Sequence, residues 1–115
     1  MTAFKVGVAS VVKTIKTRRP GMEEETFTAA IRIRDTDEQE ALNKLEDEGK
    51  LTGHDHVRED VLSIGGFEDA QGKIVDSTDD PRVIDAMFKD PYALAGIIRG
   101  WQLVQSGMPE YVEKN

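Results

Sequence analysis

Two apolar periods divide the chain. Over residues 1–34 the period is two. Phe4, Val6 and Val8 alternate with Lys5 and Gly7, and the run continues through Val11, Val12 and Ile15. Phe27, Ala29, Ile31 and Ile33 then share one parity, against Thr28, Ala30, Arg32 and Arg34 on the other. Such alternation puts one set on a core face and the other in water. It predicts two antiparallel strands with the arginines in solvent. The apolar parity of the first strand slips between Val8 and Ile15, which points to a bulge or bend near Ala9-Ser10. Arg19-Pro20-Gly21-Met22 and the glutamates after them exceed a two-residue turn, so the hairpin has a flexible, charged tip.

Beyond Arg34 the period becomes helical. Thr36-Asp37-Glu38-Gln39 has capping-box spacing, Ala41, Leu42 and Leu45 form a thin apolar stripe, and Gly49 is a stop. This predicts a helix over 36–48. Val57, Val61 and Ile64, spaced i, i+4, i+7, predict a second helix over 55–64 that ends at Gly65-Gly66. Asp69-Ala70-Gln71-Gly72 is turn chemistry, with Ile74-Val75 a short extended piece beyond it. Asp80-Pro81 and Asp90-Pro91 repeat one device: a capping aspartate followed by a proline whose missing N–H costs nothing at the first helical position. They predict helices over 81–89 and 91–105, the latter with the stripe Leu94, Ile97, Ile98, Trp101, Val104. The expected fold is α+β, an N-terminal antiparallel β-hairpin packed against a small bundle of about four helices. Residues 1–108 are expected to form a single domain and 109–115 a flexible C-terminal tail.

Charge changes this picture more than composition does. The net charge is −7, but residues 1–34 carry seven basic and three acidic side chains, whereas 35–80 carry four and fifteen. The basic cluster Lys13, Lys16, Arg18, Arg19 runs straight into three glutamates. Nucleic-acid binding requires a basic surface that displaces phosphate counterions, so no nucleic-acid partner is expected. The chain has no cysteine, which removes disulfides and thiolate chemistry. No stretch reaches the roughly 18 apolar residues that would span a bilayer, and Met1 to Ser10 do not read as a signal peptide. A cytoplasmic setting, with no membrane partner, is the expectation.

Candidate chemistry is sparse. His54-Asp55-His56, with Glu59 and Asp60 one turn later, offers nitrogen and oxygen donors, but i, i+2 spacing at a helix start turns the two rings apart. A solvated helix start is the plainer reading. Ser10, Ser63, Ser77 and Ser106 show no nucleophile context, and the glycines near 65 and 72 lack the lysine and hydroxyl of a phosphate loop. No enzyme activity, cofactor or metal is expected. Gly96 and Gly100 lie four apart on the last helix, and two mid-helix glycines cost about 1 kcal/mol each relative to alanine. They therefore imply close packing, within the domain or across a subunit boundary, and motivate an expectation of self-association. Phe67, Tyr92, Ile97 and Trp101 are the candidate partner-binding residues, although Ile97 and Trp101 also fit a core. Phe67, flanked by glycines and acids, is the aromatic expected to be exposed.

From Val57 onwards the order of parts resembles the tail assembly chaperones of long-tailed bacteriophages. It comprises a short helix ending near Ile64-Gly65-Gly66-Phe67, an acidic turn from Glu68 to Ile74, and the polar approach Ser77-Thr78-Asp79-Asp80. The helix from Val83 to Phe88 follows, then Asp90-Pro91 with an amphipathic helix to Trp101, and the ending Glu113-Lys114-Asn115. The strand Thr26 to Arg34 followed by an acidic helix is also similar. The likeness covers about two-thirds of the chain. Many members carry a tryptophan near the position of Gly65 or Gly66, where the resemblance makes Phe67 its stand-in, and the long first strand and the Arg18-Arg19 tip have no match.

The resemblance implies a non-enzymatic protein that coats the tape measure protein and helps recruit tail-tube subunits in the host cytoplasm. In several relatives a longer frameshifted product accompanies it. An acidic body presenting an apolar helix face suits amphipathic client helices. Two other classes stay open. One is a small structural virion component such as a tail-tube or tail-completion protein, which the charged hairpin favours. The other is a regulatory protein that binds a single partner.

Overall fold

The computed structural model describes residues 2–51 and 53–107. The tail expected over 109–115 lies outside the described residues.

Strands β1 (Ser10–Thr17) and β2 (Glu25–Arg32) form the antiparallel hairpin. Their register is unbroken from Ser10↔Arg32 to Thr17↔Glu25. The parity slip is therefore no bulge in this pair: it marks a change in which face is apolar. Lys13 and Ile15 face the core, while Val12 points the other way and is 73% exposed. Residues 2–9 are not part of β1, and Phe4 and Val6 stand 90% exposed. The tip is tied down rather than free: Arg18 Nε donates to the Met22 carbonyl, and Arg19 pairs with Glu25 and with Asp90.

Helix α1 (Thr36–Asp47) starts where predicted, but its capping box sits one residue earlier than Thr36. Asp35 is the cap; its side chain accepts from the Glu38 N–H, and the Glu38 carboxylate accepts from the Asp35 N–H. Gly49 follows the helix with φ +70°, the left-handed region open to glycine.

The helix predicted over 55–64 is the main correction. Only α2 (Asp55–Asp60) is helical, and Val61–Gly65 forms β3, antiparallel to β2, so the sheet has three strands in the order β1-β2-β3. Val61 and Ile64 are three apart and would face opposite sides of a regular strand. A register shift opposite Ala30/Ile31 lets both be buried. The i, i+4, i+7 pattern was thus met by a helix turning into a bulged strand.

Strands β4 (Phe67–Glu68) and β5 (Ile74–Val75) make a small hairpin around the predicted turn, where the Asp69 carboxylate accepts from the N–H groups of Gln71 and Lys73. Helices α3 (Pro81–Phe88) and α4 (Pro91–Ser106) begin as predicted, capped by Asp80 and Asp90. The core gathers Ile15, Phe27, Ile31, Val57, Ile64, Ile84 and Ile97 between the sheet and the helices.

Helix α4 crosses β1 at the two glycines. A Cβ at Gly96 would lie 2.7 Å from Ile15 Cγ2, and one at Gly100 2.6 Å from Ile15 Cδ1. The close approach these glycines imply is made inside the chain, and the motive they gave for self-association falls away.

Candidate functional site

The site grows from one carboxylate. Asp60, the last residue of α2, has no exposed surface, and a bare buried charge is costly unless it is hydrogen-bonded. Its Oδ1 accepts from Arg32 Nε at 3.1 Å. Its Oδ2 accepts from Arg34 Nε at 2.7 Å and from the Trp101 indole N–H at 2.8 Å. The two arginines that alternation placed in solvent are thus drawn in by an acid beyond the strand. Arg32 also donates to Glu38, which holds that carboxyl below its ordinary range.

Gln105, near the end of α4, completes the joint. Its Nε2 donates to the Arg32 carbonyl at 2.7 Å and its Oε1 accepts from the Arg34 N–H at 2.9 Å, as a neighbouring strand would. Together Asp60 and Gln105 lock the C-terminal half of α4 onto the end of β2 and orient Trp101.

Helix α1 stands apart from this joint. None of its residues is buried, and its attachments are concentrated at its start: the cap, the Arg32–Glu38 pair, and Gln39 Nε2 donating to the Arg34 carbonyl. Between α1 and α4 lies an open cleft of about 520 Å³. Leu42 of α1 faces Ile98 and Trp101 of α4, and Val57 and His56 of α2 close one side. The His56 ring meets Trp101 edge-on at 5.2 Å, and its buried Nδ1 has no hydrogen-bond partner among the described residues. Glu46, Asn43 and Gln102 supply polar positions along the walls.

The four sequence candidates do not converge. Ile97 is fully buried in the core. Phe67 is half-buried rather than exposed and borders a separate shallow groove with Val83 and Met87 of α3. Tyr92 is exposed at the start of α4, with the Arg19 guanidinium 5.7 Å from its ring centre. Trp101 alone reaches the cleft. Leu42, Ile98 and His56 were not among the candidates, yet Leu42 sits on the thin stripe of α1 and Ile98 on the stripe of α4. Asp60 was read only as an oxygen donor beside the histidines; its role as a joint gave no signal, because its partners lie 26 to 41 residues away.

Chemically the cleft is an apolar floor with polar walls, suited to holding a side chain or helix face. His54 is exposed while His56 is turned onto Trp101, and no group of three metal-ligating side chains gathers among the described residues. Among them, no helix is long and apolar enough to cross a membrane. Comparison with protein-family models, curated proteins and solved structures returns no match for this chain.

Proposed function

We propose that the protein is a non-enzymatic tail assembly chaperone that holds an amphipathic helix of the tape measure protein and helps bring tail-tube subunits to it. The observation that carries this reading is the state of α1. It is an amphipathic helix with no buried residue, and its Leu42 faces Ile98 and Trp101 across an open cleft. A helix laid between α1 and α4 would cover all three side chains, the helix-in-groove mode of recognition. Charge supports the same partner. Helix α1 carries Asp37, Glu38, Glu40, Glu46 and Asp47 against Lys44 alone, so a client helix with lysines or arginines on its polar face is favoured.

The test is co-expression with the tape measure protein of the same tail. The partner should become soluble and co-purify with several copies of this chain, and Leu42→Glu with Ile98→Glu should abolish capture. A partner that stays insoluble, beside a chain that alone builds rings or tubes, would transfer the assignment to the virion component.

A further inference from the structure

The open edge of β1 points to a second interface, which does not depend on the identity of the client. The hydrogen bond from Ile33 N–H to the Ala9 carbonyl, 2.9 Å, fixes Ala9 and Ile33 as a bonded pair. In an antiparallel ladder such pairs alternate. The odd residues 11, 13, 15 and 17 therefore bond to β2, and the backbone groups of Ser10, Val12, Thr14 and Lys16 point outward. β1 is an edge of the sheet, and no described strand lies beyond it. The Lys16 carbonyl is already close to Gly96, so the open stretch runs from Ser10 to Thr14. Just upstream, Phe4, Val6 and Val8 keep a strand-like alternation with no strand to join, and their side chains stand in water.

We propose that two copies of this chain pair antiparallel through these edges, the Val6–Val8 segment of each adding to β1 of the other. Equivalent strands that pair about a two-fold axis must match residues of the same parity, because the axis is perpendicular to the sheet. The even set, whose backbone points outward in β1, is then the one that bonds. With Ser10 on the axis, Val8 falls opposite Val12 and Val6 opposite Thr14, where the open stretch ends. On the other face Gly7 meets Lys13. No lysine faces a lysine, which removes the like-charge penalty that a basic edge would otherwise bring to self-pairing. The paired Val6, Val8 and Val12, with Phe4 just beyond them, form one apolar strip on the face away from α4. Gly7, at φ +78°, is the residue that must change conformation for the segment to straighten.

The test uses the whole chain in sedimentation equilibrium, with three variants. The natural protein should associate reversibly to twice the monomer mass. Thr14→Pro and Val12→Pro each remove an outward N–H that β2 does not use, and edge strands accept proline there; both should be monomeric with an unchanged far-ultraviolet spectrum. Since the chain has no cysteine, Ser10→Cys gives a clean third arm. Residues in a bonded pair are about 5.5 Å apart at Cα, within the range a disulfide spans, so this variant should oxidise to a covalent dimer. If a proline variant fails to fold, the Ser10→Cys result decides alone: a cross-linked dimer supports the pairing and its absence overturns it. A chain that is monomeric at every concentration, or a dimer that survives Thr14→Pro, also overturns it.

Discussion

The Trp101 indole donates to Asp60 across 41 residues of sequence, and the same carboxylate takes one hydrogen bond from each of two arginines on the end of β2. One acid thereby joins α2, β2 and α4. Its removal strands unequal partners, since the Arg34 side chain is only 10% exposed while Arg32 keeps 35% exposure and Glu38. Breaking a buried pair from one side costs about 3–5 kcal/mol. Asp60→Ala should fall near the low end of that range in urea unfolding, because Arg32 retains water and a second partner. Trp101→Phe removes only one of three donors and should cost about 1 kcal/mol. Equal losses in the two variants would show that the indole, rather than the arginine pair, carries the joint.

The crossing of α4 over β1 separates two glycines that look alike in sequence. At Gly96 a new Cβ meets Ile15 Cγ2 and the Lys16 carbonyl, and a β-branched Cγ2 cannot swing away without changing χ1. At Gly100 it meets the tip of Ile15, which can turn about χ2. Alanine gains about 1 kcal/mol of helix propensity at either position, against about 1–3 kcal/mol for overpacking. Gly96→Ala should therefore be clearly destabilising and Gly100→Ala nearly neutral. Adding Ile15→Val, which deletes only Cδ1, should couple favourably with Gly100→Ala and leave Gly96→Ala unrelieved. A double-mutant cycle with chemical denaturation reads both.

These glycines also show where the sequence was legible. Caps and turns are local: Asp80-Pro81, Asp90-Pro91, Gly49 and the Asp69 turn carry their own signals, and the structure places them where those signals do. The inward parity of Phe27, Ala29 and Ile31 was equally plain. What failed was anything set by a distant partner. Val61 and Ile64 fitted a helix until pairing with β2 drew them into a bulged strand, and Arg32 and Arg34 looked solvated until Asp60 was brought beneath them. Gly65 looked like a helix stop, yet a Cβ there would lie 2.0 Å from the Asp76 carbonyl oxygen, so glycine is needed for chain crossing. The cleft was half-legible, as two stripes whose meeting no local pattern reveals.

Acid should weaken the start of α4 in a defined way. The Asp90 carboxyl lies below its ordinary value, chiefly because it accepts from the Ala93 N–H and also because Arg19 and the Tyr92 N–H bind it. A depressed folded value means that its stabilisation is complete above the ordinary aspartate value of 3.8 and is lost as the pH falls through the folded one. Asp90→Ala should cost about 1 kcal/mol near neutral pH, the usual worth of such a cap. The gap between the variant and the natural protein should close on acidification. A gap constant down to the acid transition would mean that the carboxylate's charge is not what stabilises the cap.

Helix α1 makes the sharpest dynamic prediction. Twelve residues with no buried side chain approach the length at which a helix is marginal in water, and the stabilising contacts sit at the first turn. Local opening free energy follows buried contact, so amides in the second half of α1 should exchange far faster than those of α4, which is anchored by Ile97, Gly100 and Gln105. Leu42→Glu should cost global stability about 1 kcal/mol, because Leu42 is half-buried but lies outside the core cluster. A client helix in the cleft would change this, burying Leu42 against it and slowing exchange along α1 while α4 stays as it was. Hydrogen exchange of the free chain and of the co-purified complex reads both states. If α1 is already as protected as α4 in the free chain, the helix is part of the rigid body and the cleft is a fixed groove instead of a hinged one.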